Sequence, residues 1–262
     1  MLNLRSMILV TTAVFTSFSG VVVAESSQTE EEIITVVGTR TERSLDEVAT
    51  SISVISAIDI EEQLYRDIAD LVKYEPGVSV GGTGSRFGLS GFIIRGMGGN
   101  RVQTLVDGVR SPDEFSFGPF LSSRRDFVDI DSVETVEISK GSGSSLYGSD
   151  ALGGVVSFTT KGPSRYVSSD EPFYAGVKYG YSGEDSSSNG TLTLAGGNDR
   201  ISGLVSYTYR DAEETETNGT VAGTGSTREE ADPAEIESNN VSLKVDISPW
   251  EDHTLQIGYD LF

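Results

Sequence analysis

Residues 133–160 read VETVEISKGSGSSLYGSDALGGVVSFTT. The two ends of this stretch, VETVEIS and GGVVSFTT, are rich in β-branched residues and read as strands. The glycine-rich middle invites a nucleotide-loop reading. It has neither G-x-G-x-x-G between a strand and a helix nor G-x-x-x-x-G-K-[ST], and GGTGSRFG at 81–88 fails the same test. Both stretches therefore read as turns. Outward from them lie further strand candidates at Ile52–Ile55, FIIRG (92–96) and QTLVDGV (103–109). Ser56 with Asp59 three residues on is a helix start. Ile60, Leu64, Ile68, Leu71 and Val72 recur at helical spacing, and Pro76-Gly77 stops the run. Asp107-Gly108 predicts a tight turn. Residues 46–165 are thus expected to form an α+β domain, a small mixed sheet with short helices and a core of its own.

The pattern changes after residue 170. Phe173, Ala175, Val177, Tyr179 and Tyr181 alternate with smaller or polar residues. So do Ile201, Gly203, Val205, Tyr207 and Tyr209, then Val241, Leu243, Val245 and Ile247, then Leu255, Ile257, Tyr259 and Leu261. A weaker strand, TLTLA, stands at 191–195. Period-two alternation fits an outer-membrane β-barrel and a soluble β-sandwich alike. The connections alternate short and long, which favours the barrel. The longest, 211–240, holds nine acids and one base between residues 211 and 238 and reads as a mobile loop.

At the N-terminus Arg5 precedes an apolar run from Met7 to Val23 that ends in Val22-Val23-Ala24, the pattern of a secretory signal peptide over 1–24. An arm at 25–45 follows, polar except for one strand-like stretch in EEIITVVGTR (31–40) with nothing nearby to pair with. The chain has no cysteine and one histidine, which excludes a disulfide scaffold and the usual zinc site; no metal ligands are assigned. With 19 basic and 40 acidic residues, nucleic acid is a poor partner. The carboxylates of DFVDIDSVE (126–134) lack calcium-loop spacing and read as surface acids. No nucleophile stands beside a base, and His253 sits next to a turn, so no catalytic residue and no enzyme is expected.

Several strings in order resemble one family. EEIITVVGTR, LVKYEPGVSV (71–80), FIIRGMGGNRVQTLVDGVR (92–110) and residues 133–161 are similar to TonB-dependent outer-membrane receptors, most of all the haem and haemoglobin branch. The resemblance implies a TonB box, a globular plug and a barrel around it, in the outer membrane of a Gram-negative cell with plug and box facing the periplasm. It implies that Ile33, Ile34, Thr35, Val36 and Val37 pair with the energy-coupling protein TonB. Arg95 corresponds to a plug arginine that docks on acids of the barrel wall, and Lys140 stands where the family more often has arginine. A lysine there is a point charge without the bidentate fork. Gly148, Gly153 and Gly154 correspond to close-packed turns. Ligand contacts are expected from outward plug loops, with Arg86, Phe87, Phe115, Phe117 and Phe120 as candidates. The cargo implied is haem or haemoglobin iron, with a ferric siderophore as the alternative and no permanently bound cofactor. The plug has no histidine to serve as an axial ligand.

Five strand candidates at 170–262 predict an incomplete barrel, the first strands of a longer receptor. Phe262 falls in the polar phase, which does not suit a terminal barrel strand. Two alternatives stand beside this reading: a secreted β-rich binding or adhesion module, and a non-functional truncated receptor.

Overall fold

A computed structural model describes residues 51–82, 89–113, 128–250 (except 215, 224, 231, 232 and 234) and 253–261. The expected signal peptide, the box at Ile33–Val37, Arg86, Phe87, Phe115, Phe117, Phe120 and Phe262 lie outside the described residues.

The first half folds as a mixed sheet with short helices. Its elements are β1 (Ile52–Ser56), α1 (Ala57–Glu62), α2 (Ile68–Leu71), β2 (Val78–Gly82), β3 (Leu89–Ile94), β4 (Val102–Val106), β5 (Val109–Arg110), β6 (Val133–Ser139), α3 (Ser144–Tyr147) and β7 (Gly154–Thr160). The sheet order is β1-β6-β7-β4-β5, and β2 pairs with β3 separately. Only the β4–β7 pairing in this sheet is parallel. One face packs on α1, α2 and the β2–β3 hairpin through Ile60, Leu71, Phe92, Ile94, Val136 and Phe158.

Local chemistry accounts for the elements. Ser56 and Asp59 form a reciprocal capping box at the start of α1. The single helix expected through Val72 is instead two. Gln63 ends α1, Leu64 turns left-handed (φ 54°) and is 77% exposed, and Asp67 caps α2 through the Ala69 and Asp70 amides. Ile60, Ile68, Leu71 and Val72 still reach the core, so the apolar spacing survives the break. Asp107 and Gly108 both have positive φ, 47° and 78°, as a two-residue hairpin turn between β4 and β5 requires.

Gly154 begins β7 at φ 156°, and a Cβ there would lie 2.4 Å from the Ser139 carbonyl oxygen and 2.6 Å from Ile94 Cδ1. Backbone cannot retreat as a flexible side chain would. Gly154→Ala is expected to destabilise the domain by about 2–5 kcal/mol, adding strain to overpacking. Urea unfolding followed through the protease resistance of β6–β7 measures it; a midpoint unchanged from wild type would refute the close packing.

The second half is a five-stranded antiparallel meander in chain order: β8 (Phe173–Tyr181), β9 (Ser188–Gly197), β10 (Ile201–Glu213), β11 (Glu235–Trp250) and β12 (His253–Leu261). β9 is twice as long as the TLTLA core suggests. The acidic segment is strand at both ends, with Asp211 opposite Glu237 and Glu213 opposite Glu235. Continued pairing of long strands overrides its loop-like composition.

The decisive feature is which phase is buried. Val177, Tyr179, Val205, Leu243, Ile257 and Tyr259 are exposed, Val177 at 82%. Thr191, Ser206, Thr208, Asn240, Ser242 and Lys244 are buried, Thr208 and Ser242 at 2%. A sandwich in water buries the apolar phase. This sheet turns its apolar phase outward, with Tyr181 and Tyr209 toward one end and Phe173 and Trp250 toward the other. That is the arrangement of a lipid-facing barrel wall. Among the described residues no helix is long and apolar enough to cross a membrane.

Candidate functional site: a charged seam behind the hairpin sheet

The buried polar phase of the hairpin strands meets three acids of the mixed-sheet domain. The β4–β5 turn aims the Asp107 carboxylate across β7, where it accepts from the Thr160 amide at 2.8 Å and the Thr160 hydroxyl at 2.6 Å. Its Oδ2 also accepts from Lys244 Nζ of β11 at 2.9 Å. Lys244 is 2% exposed and donates as well to the Thr160 carbonyl at 3.1 Å. A lysine buried this deeply is retained only with such partners.

Asp129 caps and Asp131 lies within a 3-10 turn, Ile130–Ser132, that leads into β6. Asp129 accepts from the Asp131 amide at 2.8 Å, which sets the turn. Arg210 of β10 reaches Asp129 with two nitrogens, Nη2 at 2.8 Å and Nε at 3.2 Å, and Nη2 also reaches Asp131. Asp131 further accepts from Lys178 Nζ of β8 at 2.6 Å, Asn189 Nδ2 of β9 at 3.1 Å and Thr191 Oγ1 of β9 at 3.4 Å. The two carboxylates are 1% and 4% exposed. Burial pushes the Asp131 carboxyl up, but the Arg210 charge and the Lys178 hydrogen bond outweigh it and hold it below the ordinary carboxylate value. A third contact joins Arg66, between α1 and α2, to Ser182, Glu184 and Asp185 of the β8–β9 connection. It is exposed and contributes little.

Lys178, Arg210 and Lys244 are the only lysines and arginines in β8–β12, and each binds a buried or half-buried acid in a turn of the mixed-sheet domain. The acids of DFVDIDSVE are therefore corrected: Asp129 and Asp131 are interior, because cations 47 to 81 residues away cover them. The readable signal was a cation in the inward phase of three strands. A strand that turns its polar face inward needs an acid opposite each lysine or arginine.

Arg95 and Lys140 lie elsewhere. Arg95 is exposed in the Ile94–Met97 turn with φ 49°, and its amide donates to the Gly77 carbonyl at 2.8 Å. Lys140 donates to Glu75 within its own domain, and its amide donates to the Ser51 carbonyl at 2.9 Å. Among the described residues neither reaches the hairpin sheet; Asp107, Asp129 and Asp131 do, with the polarity reversed. No group of three or more metal-ligating side chains occurs among the described residues.

Residues 44–155 match the family pattern of the TonB-dependent Receptor Plug Domain. The chain is 36% identical over 225 residues to hemoglobin and hemoglobin-haptoglobin-binding protein C of Haemophilus influenzae. The chain belongs to the TonB-dependent receptors. That alignment covers 79% of this chain and 21% of the relative. Hemoglobin-binding protein A of the same organism is 36% identical over 223 residues, covering 80% and 22%. The chain thus spans about a fifth of the length of the curated relatives it matches. Among solved structures, the Serratia marcescens hemophore receptor HasR, in complex with its hemophore and heme, superposes with a TM-score of 0.69 at 20% identity. It covers 82% of this chain and 31% of that one. The pyoverdine receptor FpvA of Pseudomonas aeruginosa gives 0.64 at 17% identity, over 86% and 29%. These two show the fold. The mixed-sheet domain is the plug, the hairpin sheet is part of the barrel wall, and the receptor is an outer-membrane protein of Gram-negative bacteria.

Proposed function

We propose that this receptor chain serves the active uptake of an iron-bearing ligand, haem or haemoglobin iron. The observation that carries this is the set of curated relatives at 33–36% identity whose names specify haemoglobin or haemoglobin–haptoglobin binding. In this reading residues 1–24 are removed on secretion and 25–45 are a periplasmic arm. Residues 46–165 are the plug and 170–262 supply wall strands. Ile33–Val37 adds as a strand to a sheet edge of TonB, which pulls. Arg86, Phe87, Phe115, Phe117 and Phe120 face the ligand from outward plug loops, where the rings supply stacking area for a porphyrin. The cargo is moved and not chemically converted, so the reading calls for neither a catalytic residue nor a resident cofactor.

Growth separates the ligands. An iron-starved host without haem receptors of its own, given the receptor that contains this chain, is expected to grow on haem or haemoglobin only when TonB is present. Growth on a ferric siderophore and not on haem would reassign the cargo. Growth on neither would remove the uptake reading.

A further inference from the structure

We infer that the Asp129–Asp131 tip is a static clamp that seals the plug against strands β8–β10, so cargo passes on another side of the plug. This rests on the receptor reading above. One plug turn holds three successive wall strands: Lys178 on β8, Asn189 and Thr191 on β9, and Arg210 on β10. On the next strand, Lys244 of β11 is held by Asp107 and the Thr160 carbonyl. Just past Thr160, the chain runs directly from β7 through the Pro163–Arg165 turn into β8, so plug and wall are also covalently joined on this side.

The charges in the clamp balance. Asp129 and Asp131 face Lys178 and Arg210, two against two. Thr191 and Thr208, both buried, hydrogen-bond each other at 3.0 Å beside the cluster. Separating plug from wall here would expose two nearly buried carboxylates and strip Arg210 of both its acids. Breaking a buried pair by removal of one partner is strongly unfavourable, whereas removing both partners together is close to neutral. A passage opened here would break the whole set of contacts to Lys178, Asn189, Thr191 and Arg210 at every turnover. A gap opened where the plug meets other strands would not.

The experiment uses the intact receptor that contains this chain, in cells without TonB, so that neither ligand nor energy input matters. The probe is entry of a glycopeptide antibiotic too large for general porins. Arg210→Met leaves two buried carboxylates with one half-exposed lysine and is expected to lower the killing concentration at least about tenfold, the factor carried by about 1.4 kcal/mol. Arg210→Met with Asp129→Asn removes one charge of each sign and is expected to return it to within about twofold of wild type, as matched removal predicts. Surface labelling confirms equal receptor levels. Wild-type permeability in the single variant, or equal leak in single and double variants, would overturn the clamp.

A second variant tests immobility. These 262 residues hold no cysteine, so Asp131→Cys with Thr191→Cys offers one disulfide without a competitor among them. The oxidised form is expected to take up haem as fast as the reduced form. Failure of the bond to form, or uptake restored only by reduction, would overturn the proposal. Absence of haem uptake in the wild type would bear on the cargo reading alone, since the antibiotic test does not use it.

Discussion

Ile34→Pro is expected to abolish energised uptake while leaving ligand binding at the cell surface unchanged. Ile33 to Val37 reads Ile-Ile-Thr-Val-Val, a run whose β-branching favours extended backbone, between the polar stretches ESSQTE and TERSLDEVAT. A run of that composition is suited to pairing with a partner's sheet edge, where main-chain hydrogen bonds supply the affinity. Proline removes one donor from that ladder and fixes φ near −65°, away from the extended value the pairing needs. Ile34→Ala keeps the amide and loses only a side chain, so it is expected to reduce uptake modestly. Labelled haem measures both quantities in the same cells, as surface-bound counts at low temperature and internalised counts after warming. Uptake by the proline variant within about twofold of wild type would remove the role assigned to these residues. Loss of binding along with uptake would point instead to misassembly.

Much of the plug was legible because its signals are local. The Ser56–Asp59 box and the Asp107-Gly108 turn each act within four residues, and the structure has both. The strands at 133–139 and 154–160 follow from β-branched composition between glycines. The break at Leu64 was hidden because the apolar spacing of Ile60, Ile68 and Leu71 continues across it. Only the capping competence of Asp67 marks a second helix start, and capping residues are common in loops as well. The wall strands were legible as period two, but period two does not state which phase faces inward. That direction depends on what lies beyond each face, and sequence periodicity carries no information about it. The clamp was hidden for a related reason. Asp129 and Asp131 look like surface acids until Arg210 and Lys178 are brought against them by the fold of two separate sheets. Asp107 shows the mixture best: its turn was readable, and its bond to Lys244, 137 residues away, was not.

Val205→Arg tests the direction of the phase. Val205 lies within β10, opposite Leu194 on one side and Leu243 on the other, and is 46% exposed with its side chain in the outward phase. If that face met water, arginine would be tolerated within about 0.5 kcal/mol, as surface substitutions usually are. If it meets lipid near the midplane, arginine costs about 2–4 kcal/mol. The expected result is a fall of about tenfold or more in folded receptor in the outer membrane, read as the heat-modifiable band on gels, because about 1.4 kcal/mol already carries a factor of ten. The control lies in the same phase of the same strand. Glu213, at the end of β10 beyond Tyr207 and Tyr209, already carries a charge outward. Glu213→Arg is expected to change folded yield by less than about threefold, since the penalty falls to about 0–1 kcal/mol near the interface. The gradient between these two positions is the discriminating quantity. A water-facing sheet has no depth axis along its strands, so equal effects at Val205 and Glu213 would contradict a lipid-facing wall, and a steep difference would contradict a face that meets water.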